Sequence, residues 1–188
     1  MKKKKIVYVP MGADIIHAGH LNILKHAQKY GEVIIGLFTD SAIAEYKRLP
    51  LISYQQRFDI INNIKGIKKV VAQETWDYTE NLNNIKPDFV VHGNDWKKGI
   101  QKETRGNVIK LLKQWSGQLI EPEYTENIPT TSIKSKINEI ISLPENRVSR
   151  LKRLVYSKDI VRIMESHNSL TGLIIENLNI IKNKKNIE

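Results

Sequence analysis

The run Glu32-Val-Ile-Ile-Gly-Leu-Phe38 constrains the fold most, because its apolar residues are consecutive rather than alternate. A strand of this kind is covered on both faces, as in a parallel sheet with helices packed on each side. Short strands built around two to four apolar residues are expected at 6–9, 69–72, 88–92 and 118–121. Between them lie stretches with helical spacing. Residues 21–30 carry Leu21, Leu24 and Ala27, with Gly31 as the expected stop. Asp40 or Ser41 is placed to cap a helix reaching about Tyr46, which Lys47-Arg48-Leu49-Pro50 breaks. Ser53 is placed to cap a helix with Tyr54, Phe58, Ile61 and Ile64, ending at Gly66. Further helices are expected over 76–85 before Pro87, and over 103–115 before Gly117. Residues 129–132 open another, with Ile133, Ile137, Ile140 and Ile141 on one face. Strands alternating with helices imply right-handed crossovers and an α/β fold. The expected architecture is a Rossmann-like parallel sheet with helices on both faces over 1–141, followed by a helical C-terminal extension over 142–188.

In such sheets ligands bind at the carboxyl ends of the strands. The polar clusters at 10–20, Thr39-Asp40, 93–96 and 124–134 all fall there. The first, Pro10-Met-Gly-Ala-Asp-Ile-Ile-His-Ala-Gly-His20, joins a strand to a helix N-terminus. Free backbone N–H groups and the positive end of a helix dipole favour an anion at such a junction. His17 and His20 are three residues apart, so both rings can face one side of a first helical turn. Two imidazoles and a set of N–H groups suit a polyphosphate, and charge developing on a transferring phosphorus. Gly19 between them permits close approach of a phosphate to the backbone. Half a metal site is the competing reading, but neither a nearby cysteine nor a third histidine completes one. Thr130, Thr131 and Ser132 put three hydroxyls at a second helix N-terminus, where capping alone needs one. Lys47, Arg48 and Arg57, taken singly, read as surface charges. Asn94-Asp95-Trp96 could close on a base or substrate headgroup, with core packing as the competing reading for Trp96.

Composition narrows the function classes. The net charge of +10 is concentrated at the ends: Lys2–Lys5 contribute four and residues 150–188 a net four, leaving a net two over 6–149. Nucleic-acid binders concentrate basic groups with aromatics on a working face, so no nucleic-acid partner is expected. No cysteine is present, which removes disulfides and thiolate zinc sites. No apolar run approaches the roughly 20 residues of a membrane span. Met1-Lys2-Lys3-Lys4-Lys5 leads into a short strand rather than a signal-peptide core, so a cytoplasmic location is expected.

His17-Ala-Gly-His20, Ser53-Tyr54-Gln-Gln-Arg57, His92-Gly-Asn-Asp-Trp96 and Thr125-Glu-Asn-Ile-Pro-Thr-Thr-Ser-Ile-Lys134 occur in an order and spacing that resembles the small cytidylyltransferases. Those are similar to glycerol-3-phosphate cytidylyltransferase and have the HxGH nucleotidyltransferase fold. The resemblance runs from about Ile6 to Ile141. It implies attack by a substrate phosphate or phosphonate oxygen on the α-phosphorus of CTP, with pyrophosphate leaving and Mg²⁺ bridging the phosphates. His17, His20, Lys47 and Arg57 take the catalytic positions in that reading. Met11, Gly12, Ala13, Asp14, Gly19, Asn94, Asp95, Trp96, Tyr124, Thr125, Ile128, Thr130 and Thr131 take nucleotide-binding ones. In that reading the metal is carried mainly by the phosphates, with Asp14 as a candidate protein ligand. Two departures stand out: Tyr124 where the family commonly has Arg, and Asn127 where it has Gly. The usual Gly-Thr-Phe-Asp lead-in is Met11-Gly12-Ala13-Asp14 here.

The segment Ile160-Val-Arg-Ile-Met-Glu-Ser-His-Asn-Ser-Leu-Thr-Gly-Leu-Ile174-Ile175 resembles the opening of phosphoenolpyruvate mutase, with Ser166 and Ser169 departing from its Glu-Ala-His-Asn-Gly-Leu pattern. A barrel needs roughly 250 residues, and the mutase metal-binding carboxylates have no counterpart here, so mutase activity is not expected. The order of the two segments resembles bifunctional phosphonate-biosynthesis proteins and implies 2-aminoethylphosphonate or 2-hydroxyethylphosphonate as acceptor. A phosphate monoester such as glycerol 3-phosphate or phosphocholine is the nearest rival, and a non-catalytic nucleotide-binding module the rival of another class. Leu170, Leu173, Ile174, Ile175, Leu178, Ile180 and Ile181 form an apolar set that should find a partner, either the chain's own domain or a second subunit. With the resemblance, this points to a homodimer.

Overall fold

The computed structural model describes residues 4–46, 49–97, 101–122, 144–158, 160–161 and 163–177. Its described strands are β1 (Ile6–Met11), β2 (Glu32–Phe38), β3 (Ile67–Gln73), β4 (Phe89–Val91) and β5 (Gln118–Ile120), forming one parallel sheet in the order β3-β2-β1-β4-β5. The chain moves outward from β1 through β2 to β3, then returns to lay β4 on the other side of β1. β1 pairs Ile6 with Glu32 through Met11 with Leu37 on one side, and Val7 with Phe89 and Tyr8 with Val90 on the other. The reversal makes the crevice beyond the carboxyl ends of β1 and β4 the topological switch point.

Alternation along the central strands sorts the core into two layers. Val7, Val9, Val33, Ile35 and Leu37 pack with Leu24, Ala27 and Ile61 from α1 (Ala18–Gln28) and α3 (Tyr54–Asn62). Tyr8, Ile34 and Phe38 pack on the other face with Ala42, Leu82, Val108 and Leu112 from α2 (Asp40–Tyr46), α4 (Thr79–Ile85) and α5 (Gln101–Lys113). Within the second layer the Tyr8 hydroxyl donates to Gln73 Oε1 at 2.5 Å and accepts from Asn81 Nδ2 at 3.2 Å. Gly36 makes room for it: a Cβ there would lie 1.8 Å from the Tyr8 oxygen.

Helix boundaries depart from expectation where tertiary contacts intervene. α1 begins three residues early because His17 caps it. Thr39, rather than Asp40 or Ser41, caps α2, its hydroxyl accepting from Ala42 N–H at 3.2 Å. α4 starts at Thr79 instead of residue 76, because Trp76 is drawn into the core with its indole N–H on the Ala42 carbonyl at 2.6 Å. After α5 the left-handed residue is Ser116 at φ 61°, not Gly117. The helix expected to open at 129–132 lies outside the described residues.

Two compact units divide at Lys158/Asp159, and helix α6 (Pro144–Ser157) belongs to the first of them. In the second unit, α7 (Ser169–Asn177) is capped by Asn168, whose Oδ1 accepts from Thr171 N–H at 2.9 Å. Leu170, Leu173 and Ile174 on it are exposed. Leu178, Ile180 and Ile181 lie outside the described residues.

Candidate functional site

Leaving β1, the chain passes through Gly12 and then Ala13, which is buried and left-handed at φ 52°. A non-glycine residue with positive φ is uncommon, and such strain gathers at functional loops. Asp14 next folds back, its Oδ1 accepting from Leu51 N–H at 2.6 Å and Ile52 N–H at 3.4 Å. His17 has extended backbone and caps α1, with its Nδ1 accepting from Gly19 N–H at 3.1 Å. That bond assigns the proton of a neutral ring to Nε2, making Nε2–H the remaining donor. The His17 and His20 ring centroids are 4.1 Å apart. Burial, and then the charge of His17, push His20 down to about 4, so it is neutral near pH 7. Its Nδ1 is buried without a hydrogen-bond partner among the described residues.

Arg57 was expected to reach substrate or triphosphate, and its partners belong to the protein instead. It is fully buried, with Nη1 donating to the carbonyls of Gly12 at 2.6 Å and Phe38 at 2.8 Å. Nη2 donates to Asp40 Oδ1 at 2.7 Å and Nε to the Ile52 carbonyl at 3.4 Å. One guanidinium thus ties the ends of β1 and β2 to the segment before α3. Asp40, read from the sequence as a cap and as one of the polar residues at a strand end, is part of this arrangement.

Across the switch point, β4 leads into His92, Gly93 and the 3-10 turn Asn94–Lys97. Trp96 takes its packing alternative: it is fully buried, its ring parallel to that of His92 at 3.8 Å. Its indole N–H donates to Glu121 Oε1 at 2.7 Å, and Arg105 holds both Glu121 oxygens at 2.9 and 2.8 Å. The Arg105 guanidinium, helped by the Trp96 N–H and opposed by partial burial, holds the Glu121 carboxyl down at about 2. Glu121 and Arg105 therefore brace the turn, and sequence reasoning overlooked both. An acid closing the last apolar run was the available signal.

The structure thus brings Met11, Gly12, Ala13, Asp14, His17, Gly19 and His20 into one loop and helix start, with Asn94 and Asp95 after the neighbouring strand. Lys47, Tyr124, Thr125, Ile128, Thr130 and Thr131 lie outside the described residues. Among the described residues no three His, Asp or Glu side chains converge as metal ligands, and Asp14 Oδ1 is engaged by backbone.

Residues 13–137 match the family described as Cytidylyltransferase-like. Ethanolamine-phosphate cytidylyltransferase of Dictyostelium discoideum is 30% identical over 138 residues, covering 72% of this chain and 37% of that protein. The bifunctional protein HldE of Magnetococcus marinus is 27% identical over 138 residues, covering 72% of this chain and 27% of that one. The match therefore spans well under half the length of either relative. The lipopolysaccharide core biosynthesis protein from Thermoplasma volcanium GSS1 shares the fold, with a TM-score of 0.55, 19% identity, and coverage of 65% of this chain and 98% of that one. A strand-end loop delivering two histidines to a helix mouth and a family match across more than half the sequence lead to one conclusion: this chain belongs to the cytidylyltransferase-like family.

Proposed function

We propose that this protein transfers CMP from CTP to a small phosphonate, 2-aminoethylphosphonate or 2-hydroxyethylphosphonate. A phosphonate oxygen forms a bond to the α-phosphorus as the bond to the bridging oxygen of pyrophosphate breaks. The observation that carries the nucleotidyl-transfer reading is the pairing of His17 and His20 at the start of α1, with His20 held neutral. A phosphonate oxygen is already ionised at neutral pH, so the nucleophile needs no general base. The imidazoles then serve as preorganised N–H donors to charge building on the α-phosphoryl oxygens. Mg²⁺ enters as the complex with the triphosphate. Lys47, Thr130 and Thr131 are assigned to the triphosphate, and Asn94, Asp95, Tyr124, Thr125 and Ile128 to the nucleoside end. Arg57 and Trp96 support the loops around them without touching substrate. The phosphonate acceptor rests on the mutase-like segment at 160–175, and a homodimer belongs to the same reading.

One observation favours a second acceptor class. The Dictyostelium relative is named for ethanolamine phosphate, whose phosphate monoester differs from an aminoethylphosphonate by one bridging oxygen. Purified protein with CTP and Mg²⁺ should be offered both phosphonates, ethanolamine phosphate, phosphocholine and glycerol 3-phosphate, following pyrophosphate release and product mass. A CMP-phosphonate formed preferentially supports the reading, and preference for a monoester replaces it. CTP binding without pyrophosphate release under any acceptor reduces the protein to a nucleotide-binding module.

A further inference from the structure

We infer that Arg153, on helix α6 beyond the family-matched region, is a positioning residue of the nucleotide site. It acts through the Leu51–Ile52 backbone on the loop that carries Asp14 and the two histidines. The functional part of this inference rests on the nucleotidyltransferase reading above.

Arg153 Nη1 donates to the Leu51 carbonyl at 2.8 Å, and Nη2 to Asp40 Oδ2 at 3.1 Å. The N–H of the same Leu51 donates to Asp14 at 2.6 Å. Residue 51 is therefore held from one side by the loop after β1 and from the other by α6. Asp40 is shared likewise, giving Oδ2 to Arg153 and Oδ1 to Arg57, which in turn holds the Gly12 carbonyl. The links close a ring: Asp14, the 51–52 backbone, Arg153, Asp40, Arg57 and Gly12. Two of its members flank Ala13, the strained residue of the site loop.

The chemistry of the side chain fits this task. A guanidinium fork bridges a carbonyl and a carboxylate at fixed separation, whereas an ammonium offers a point charge. A partly exposed ion pair alone contributes little; the shared acceptors make this one consequential. The helix itself supports the assignment. Val148, Leu151 and Val155 share one stripe of α6 by their spacing and are 58%, 52% and 53% exposed. Arg153 lies off that stripe and reaches the domain, so α6 is attached by a polar link to the site loop while its apolar stripe remains open.

The test compares the 188-residue wild type with Arg153→Gln and Arg153→Lys. Hydrogen exchange reads the link without any activity. One lost hydrogen bond of about 1 kcal/mol corresponds to roughly fivefold in the opening equilibrium. Exchange at Leu51 and Ile52 is expected to rise by about that factor in both variants. Kinetics read the consequence: KM for CTP should rise about tenfold, with the KM for the acceptor unchanged. Lysine, which keeps the charge opposite Asp40, should restore thermal stability without restoring that KM. Combining Arg153→Gln with Asp14→Asn should cost little more than the worse single change, since both act on one peptide. Lowered stability with wild-type exchange and wild-type kinetics in both variants would overturn the inference, leaving Arg153 a simple staple. If the glutamine variant does not fold, the lysine variant carries both measurements. Wild-type protein that neither binds nor turns over CTP would refute the transferase reading, and exchange alone would then decide whether the link exists.

Discussion

His20 shows how burial, and then a neighbouring side chain, set the chemistry of one ring. Burial and the nearby His17 hold it at about 4, against an ordinary value of 6.5. Its folded form therefore resists the proton that the unfolded chain accepts. This contribution to stability is complete above pH 6.5 and declines as pH falls toward about 4. An NMR titration should find the His20 ring neutral down to that range. The acid limb of kcat/KM should lack a step near 6.5 from this residue. Replacing His17 or His20 by alanine should lower kcat by about 10²–10³ with the fold intact, as for loss of one preorganised donor. Arg57 behaves differently. Arg57→Lys cannot serve two carbonyls and Asp40 together, and disrupting such a buried network typically costs about 3–5 kcal/mol. A urea titration should show a large drop in midpoint; unchanged stability with a raised KM for CTP would return Arg57 to the substrate. The histidine pair was legible because three-residue spacing is local information. Three of the four partners of Arg57 lie 45, 19 and 17 residues away in sequence, and nothing local marks a guanidinium destined for them.

At the scale of elements, the five described strands could be read from their apolar residues, most clearly in β1, β2 and β4, where burial on both faces leaves an uninterrupted signature. Helix starts were less legible. Trp76 fits a helical pattern as well as a core anchor, and its bond to the Ala42 carbonyl decides between them. The Ser53 cap was visible because capping is local, and the structure completes it as a capping box with Gln56 within the same turn. Gly36 carries no signal of its own within the continuous apolar run of β2. Its purpose is set by the neighbouring strand, where the Tyr8 hydroxyl occupies the space of a Cβ. Gly36→Ala should force Tyr8 away from Gln73 and Asn81, with an expected loss of about 1–3 kcal/mol, the usual cost of overpacking. Thermal denaturation of the variant alone and combined with Tyr8→Phe checks this. A partial recovery in the double variant would assign the clash to the hydroxyl.

For the whole molecule, the sequence placed a boundary at 141/142, where the family motifs end, whereas compactness places it at Lys158/Asp159. The polar attachment of α6 was invisible because Arg153 and Leu51 are 102 positions apart. Limited trypsinolysis of the full chain should therefore release a stable fragment ending near Lys158, with α6 uncut. Early cleavage within α6 would return the boundary to 141. The sheet order also governs how the molecule comes into being. β1 is made before the other described strands yet lies in the middle, and the Ile6 amide waits for Asp88, 82 positions later, to accept its hydrogen bond at 2.7 Å. Until β4 is synthesised, one flank of β1, the strand that leads into the histidine loop, is an open edge, able to recruit a stray strand from another nascent chain. Overexpression yield should consequently depend on how quickly translation delivers the segment around residue 89, an interval during which a holding chaperone has something specific to guard.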